Sequence, residues 1–277
     1  MRRIISIVFV ISLLGISFWT WRNIEHVKNW IERQVDAGDF LTLEARYTGD
    51  QIMEAFKHEL IQDEFHNYLE PILQFHPYAL MEVKFLDDKN KTRESMILWS
   101  LEDGEMVLDT NTWESSHGFR DCIEAGATAN DFVILNALAQ HRNGMDLPGL
   151  SKYTELSDTE LEKAIQSSEN KHLIVKKGNR YRLHFEEPKI DVSPQTNMNQ
   201  WLVTKPYKHA IRTSGEYSIK EVQRIAQAAF GKHFTIRKWQ QVYLPVYRID
   251  VQNPDNSIAT FHWNALNGKQ LPQRYVY

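Results

Sequence analysis

Residues 4–19, IISIVFVISLLGISFW, contain no charged side chain and follow Met1-Arg2-Arg3. An apolar run of this length must be buried, and inside a bilayer it can satisfy its backbone only as a helix. At 1.5 Å per residue, 16 residues reach ~24 Å, and Thr20 and Trp21 extend the span to ~27 Å, near the ~30 Å hydrocarbon core. Trp19 and Trp21 then fall where interfacial aromatic side chains concentrate. The far end, GISFWTWRN, lacks a small-x-small cleavage pair, which favours a retained anchor over a removed signal peptide. Arg2 and Arg3 on one flank face Arg22, Lys28 and Arg33 on the other, so the Lys and Arg count does not orient the span. A short basic start before an apolar run is how an export signal is built. The expectation is a single-pass anchor in the cell (inner) membrane, held through residues 4–21, with the body mainly extracytoplasmic.

Beyond the anchor (1–21), Ile24, Val27, Ile31 and Val35 recur at helical spacing and predict a juxtamembrane helix in the segment 22–43, with Gly38 as a stop. The 277 residues leave room for about two domains, and 42% hydrophobic with 25% charged residues excludes disorder and a polytopic membrane protein. A net charge of −4 gives no chain-wide basic field for nucleic acid, so such a role needs a local patch. The single cysteine, Cys122, excludes an intrachain disulfide.

The body reads as α+β. In the segment 44–112, residues 48–73 have a helical pattern with Ile52, Phe56 and Leu60 on one face. Three strand-like runs follow at 80–86, 95–101 and 105–108, and the alternation of Met81, Val83 and Phe85 with Glu82 and Lys84 predicts an αβββ unit with one wet sheet face. The same order returns at 215–277. Ser218 and Glu221 form a capping box before a helix over 218–232, and strands follow at 234–241, 245–252 and 257–263 around the turn NPDN. Trp99-x4-Gly104 and Trp263-x4-Gly268 close equivalent strands, which suggests duplication and casts both tryptophans as core anchors against the helix of their own unit.

Over about 55 residues the C-terminal unit resembles a PepSY-type domain, on the run VYLPVYRIDVQ, the turn NPDN and the ending Ala265-Leu-Asn-Gly268-Lys-Gln-Leu271. Such domains occur in extracytoplasmic or membrane-bound bacterial proteins. The resemblance implies binding or inhibition of a protein and brings no catalytic residue.

Between the units, in the segment 113–186, DFVILNALAQH (131–141) predicts a helix stopped by Asn143-Gly144, and 147–153 a second. Ser157 with Glu160 caps a third helix, whose apolar face is Leu161, Ala164 and Ile165. HLIVKKGNRYRLHF then predicts a hairpin around Lys177-Gly178-Asn179. This order resembles a winged helix-turn-helix over residues 129–185. Its third helix is net acidic, with Asp158, Glu160, Glu162 and Glu169 against Lys163 and Lys171. The wing carries Lys176, Lys177, Arg180 and Arg182, the residues expected to meet a protein partner or nucleic-acid phosphates, unless they are simply a solvated strand edge. Residues 187–214, with Pro188, Pro194 and Pro206, read as a linker that Trp201-Leu202-Val203 docks onto a neighbour.

Arrangements that would carry chemistry stay incomplete. His117 precedes Cys122 by five residues, but a lone cysteine beside an amphipathic stretch reads as a small buried hydrophobe. His58, Asp63, Glu64 and His66 lack the second carboxylate-histidine motif that a di-metal bundle requires. Ser168-x-x-Lys171 has no K-T-G partner, and the phosphate-, zinc- and nucleophile-elbow signatures are absent from the chain. No catalytic, cofactor-binding or metal-ligating residue is therefore expected. The sequence points to a membrane-anchored, non-enzymatic protein-binding or scaffold protein. The alternative is a membrane-tethered winged-helix regulator that binds DNA.

Overall fold

A computed structural model of the protein describes residues 38–61, 66–87, 89–141, 143–154, 156–208 and 210–271. The expected anchor and most of the juxtamembrane helix lie outside these residues; among those described, no helix is long and apolar enough to cross a membrane. The described residues divide into two units, 38–40 with 205–208, and 41–204 with 210–271. In the first, Tyr207 N donates to Gly38 O (3.0 Å) and the Phe40 and Tyr207 rings stack at 5.5 Å. Strand β1, Asp39–Leu43, occupies the end of the expected juxtamembrane segment, so the stretch 22–43 is not helical to its end.

The larger unit is a mixed α+β structure on a sheet built around two long antiparallel strands, β3 (Ile72–Leu86) and β11 (Thr235–Gln252). They pair from Thr235↔Lys84 to Pro245↔Phe75. The short β2 (Asn67–Tyr68) continues the β3 side of β11. On the far side of β3 lie β4 (Thr92–Ser100), β5 (Met106–Asp109) and β6 (Glu114–Ser115) in turn. On the far side of β11, Thr42 of β1 pairs in parallel with Tyr243, and β12 (Ile258–Asn264) pairs in antiparallel with residues 246–252. The two expected strands at 234–241 and 245–252 are thus one. Pro245 is tolerated because it sits where β11 exchanges β3 for β12 as its partner, and its carbonyl accepts from Ala265 N (3.0 Å).

The helix expected over 48–73 is shorter: α1 (Gly49–Ala55), opened by the Thr48–Gln51 capping box, and α2 (Lys57–Leu60). Residues from Ile72 join β3 instead. Phe75 to Met81 are buried without interruption, so this part of β3 has two covered faces, and the expected wet face begins only at Glu82, where exposed or half-buried Glu82, Lys84 and Leu86 alternate with buried Val83 and Phe85. One face, with Ala79, Met81, Val83, Ile97 and Trp99, lies in the largest core cluster, while Tyr78, Leu80 and Leu98 on the other meet Leu43, Leu266 and Leu271.

The C-terminal segment is therefore one helix and two strands, not the expected αβββ, and it shares the sheet with the N-terminal segment, whose helices pack on the C-terminal strands. Ile52 and Leu60, from the N-terminal unit, pack against Ile249, Val251 and Trp263 of the C-terminal strands. Helix α7 (Ile219–Phe230), capped by the Ser218–Glu221 box, places Val222, Ile225 and Ala226 in one cluster with Met81, Ile97 and Trp99. Its entry is fixed by Glu216 N and Tyr217 N, which both donate to Leu101 O just beyond β4 (2.7 and 2.9 Å). Trp99 and Trp263 are core residues at 0% and 2% exposure. Trp263, however, lies 4.3 Å from the ring of Phe56, beside the helix pair of the other unit.

The middle of the chain forms α3 (Phe119–Glu124), α4 (Ala129–Ala139), α5 (Leu147–Thr154), α6 (Asp158–Asn170) and the hairpin of β7 (Ile174–Lys177) and β8 (Arg180–Leu183). The expected three helices and hairpin are present, α6 with its Ser157–Glu160 box. Met145 adds a bridge to Tyr181. Gly144 adopts φ +72°, and a Cβ there would lie 2.3 Å from Tyr181 O, so only glycine lets the α4–α5 turn meet β8. Phe119, Phe132, Leu135 and Leu161 belong to the same cluster as the sheet's Trp99, so this segment shares the sheet's core.

The expected linker is woven into the sheet. Thr196 Oγ1 donates to Val107 O (2.6 Å) and accepts from Leu98 N (2.8 Å). Strand β9 (Leu202–Pro206) follows, and β10 (Ile211–Arg212) pairs in parallel with Gln74 and Phe75 of β3. Leu202 docks on the core as expected, while Trp201 stands 74% exposed.

Candidate binding site

The four basic hairpin residues occupy adjacent rungs, Lys177↔Arg180, Lys176↔Tyr181 and Val175↔Arg182, and all four are exposed. Side chains opposite each other in an antiparallel pair share a face. Lys177, Arg180, Arg182 and Val175 therefore line one face, and Lys176 lies on the other, its ammonium 5.3 Å from the centre of the Tyr181 ring. Arg180 is partly consumed, since its Nε and Nη2 donate to Gly144 O (3.3 and 2.8 Å). Lys177 and Arg182 make no side-chain hydrogen bond or ion pair among the described residues.

Helix α6 turns Leu161, Ala164, Ile165 and Ser168 inward and leaves Asp158, Glu160 and Glu162 exposed. Its C-terminal neighbour Lys171 is spoken for: its Nζ donates to Asp131 Oδ2 (2.5 Å), while Ser168 Oγ donates to Oδ1 (2.9 Å). Burial works against the Asp131 charge, but the bonds from Lys171 and Thr128 outweigh it and hold the carboxyl down at about 2. The Ser168-x-x-Lys171 spacing thus serves a structural clamp.

Cys122 is fully buried, and its thiol is pushed well above its ordinary range by burial first and by Glu105, Asp121 and Asp131 next. A thiol so placed stays protonated and hidden from solvent. Glu105 is held by Ser116 Oγ and by the amides of Gly118, Phe119 and Arg120, at the start of α3. Burial pushes its carboxyl up against those bonds. Of the sequence's metal candidates, Asp63 and Glu64 lie outside the described residues, and no cluster of three ligating side chains occurs among those described.

One set of polar and titratable groups was not legible in the sequence, because β3, β11, β12 and the segments just after β4 and β10 assemble it. His76 Nδ1 on β3 lies 2.6 Å from Glu102 Oε2, and Thr213 Oγ1 bonds the other oxygen of Glu102. His262 on β12 meets the His76 ring edge-on at 6.2 Å, opposite Arg248, which pairs with Asp250 at 3.0 Å. Burial, then His76 and Arg248, hold the His262 imidazole below its ordinary range. With both histidines under 8% exposed, these groups serve one another.

A second site missed from the sequence is an open cleft of about 870 Å³. Its floor is the turn after β12, including Leu266, Gly268 and Lys269, and its walls come from Arg46 and Tyr47, from α1, and from Asn111 and Gln200. Arg46 N and Tyr47 N donate to Ala265 O (2.8 and 2.9 Å), and Asn267 Nδ2 donates to Asn111 O (3.2 Å), so the floor is tied to both walls. No carboxylate lines the cleft, and Arg46 and Lys269 have no side-chain partner among the described residues. No single segment contributes more than a few of these residues, so no local motif announces them.

No family model, curated protein or solved structure matches the chain.

Proposed function

We propose that the chain is a single-pass, membrane-anchored, non-enzymatic binding protein whose body lies mainly outside the cytoplasm. In this reading residues 4–21 are the anchor, and the winged-helix-like and PepSY-like segments are protein-contact modules on one sheet. The observation that carries it is the outer face of the β7–β8 hairpin, where Lys177 and Arg182 stand exposed and unengaged beside Val175, itself 43% exposed. Such a mixed basic and apolar face suits a protein partner with an acidic rim. Two measurements on the whole chain test it. A reporter fused to the C-terminus should be active only outside the cytoplasm, and activity confined to the cytoplasm would overturn the placement. Photo-crosslinking from position 175 in intact membranes should capture one discrete protein, lost in Lys177→Glu/Arg182→Glu; a pattern indifferent to that double variant would sink the hairpin reading.

The order of three helices and a basic hairpin also favours a second reading, a membrane-tethered DNA-binding regulator. Three or four phosphate contacts would give a log–log salt slope of about −3. Against it stand the exposed acids of α6 and the engagement of Lys171 with Asp131. Duplex binding by the detergent-solubilised chain with that slope would establish this reading, and absence of binding at ~50 mM salt would end it.

A further inference from the structure

We propose that the cleft over the 265–269 turn binds an acidic oligosaccharide, a ligand carrying both carboxylate and hydroxyl groups. Four properties point to this chemistry, and none depends on the hairpin. The first is charge: Arg46 and Lys269 supply two unpartnered cations with no lining carboxylate to neutralise them. A guanidinium matches the two oxygens of a carboxylate, and the ammonium adds a second point charge. The second is an unmet acceptor. Gln200 Nε2 lies 3.5 Å from Asn111 Oδ1, and its Oε1 is buried with no hydrogen-bond partner. A bare anion has no proton to offer that oxygen, whereas a sugar hydroxyl does.

The third property is a fixed donor. Thr48 N donates to Gln51 Oε1 (2.9 Å), which leaves the Gln51 –NH₂ group available to a ligand oxygen. The fourth is an apolar surface beside these groups. The Tyr47 ring, 42% exposed overall, packs over the backbone of Gly268, where a Cβ would lie 3.4 Å from the ring. The C–H face of a pyranose fits such an aromatic surface. The cavity volume falls within the ~300–1,000 Å³ usual for ligand pockets. Because the backbone bonds described above fix floor and walls without a ligand, little ordering opposes binding.

The test is calorimetric titration of the whole chain in detergent with four probes: an α-1,4-linked galacturonic acid trimer, the neutral trisaccharide maltotriose, adenosine monophosphate and inorganic phosphate. The acidic trimer should bind at least about tenfold tighter than each of the others, with an affinity that falls as salt rises. Arg46→Gln/Lys269→Gln should remove about tenfold or more of that affinity while the thermal midpoint stays unchanged, because neither side chain has a partner to lose. Gln200→Leu, which removes the buried acceptor, should weaken the trimer. The proposal is overturned by no binding of the acidic trimer, by equal or tighter binding of maltotriose, nucleotide or phosphate, or by unchanged trimer affinity in the double cation variant.

Discussion

Trp99 and Trp263 occupy equivalent strand ends and differ in one bond. Trp99 Nε1 donates to Gly104 O at 2.7 Å, while Trp263 Nε1 is buried without a hydrogen-bond partner. Both →Ala variants should lose about 3–5 kcal/mol, since each empties a large volume from a closed core. The →Phe variants separate the two sites. Trp99→Phe removes the bond and strands a carbonyl, whereas Trp263→Phe removes no bond, so Trp99→Phe should be the more destabilising by ~1 kcal/mol in urea melts. Equal losses would mean that the indole bond contributes nothing. The W-x4-G spacing reveals the two positions in the sequence; the difference between them depends on where each turn folds back.

Asp131 ties the start of α4 to the end of α6. Its folded carboxyl titrates at about 2, below the ordinary aspartate value of 3.8, so its contribution to stability is present above pH ~4 and is lost as pH falls from ~4 to ~2. A lowering of this size corresponds to on the order of 2 kcal/mol. Asp131→Asn should therefore destabilise the protein at pH 7 by about that amount, and the gap between variant and parent should close in acid. A gap that stays constant between pH 7 and pH 3 would show that the carboxylate charge is not what holds α6. Sequence periodicity locates both helices, and the Ser157–Glu160 box marks the start of α6, because those signals lie within one or two turns. It does not show the Asp131–Lys171 pair, 40 residues apart.

On the scale of the whole molecule, α1–α2 pack on the C-terminal strands and α7 lies in the cluster that holds Met81, Ile97 and Trp99, so neither terminal segment has a complete core of its own. The middle segment shares the larger cluster as well, with Phe132 and Leu135 in the same core as Trp99 and Val222. The body should consequently unfold as one cooperative unit: a single thermal transition in the detergent-solubilised chain, with Trp263→Ala and Leu161→Ala lowering the same midpoint. Separate transitions for the middle segment and the sheet would show independent domains.

What the sequence determined alone is everything written in local period and local chemistry: the helix starts at Thr48, Ser157 and Ser218, the alternating strands, the hairpin at Gly178, and two tryptophans marked for burial. Tertiary structure decided which helix covers which strands, that 234–241 and 245–252 are one strand, that the Pro-rich 187–214 stretch adds strands to the sheet, and that a cationic cleft forms over the 265–269 turn. The physical reason is common to all four. An apolar face records that it must be buried and does not record against what, because hydrophobic burial is non-directional. A sheet face can be covered by any helix with an apolar stripe, and that choice is made only when the whole sheet assembles.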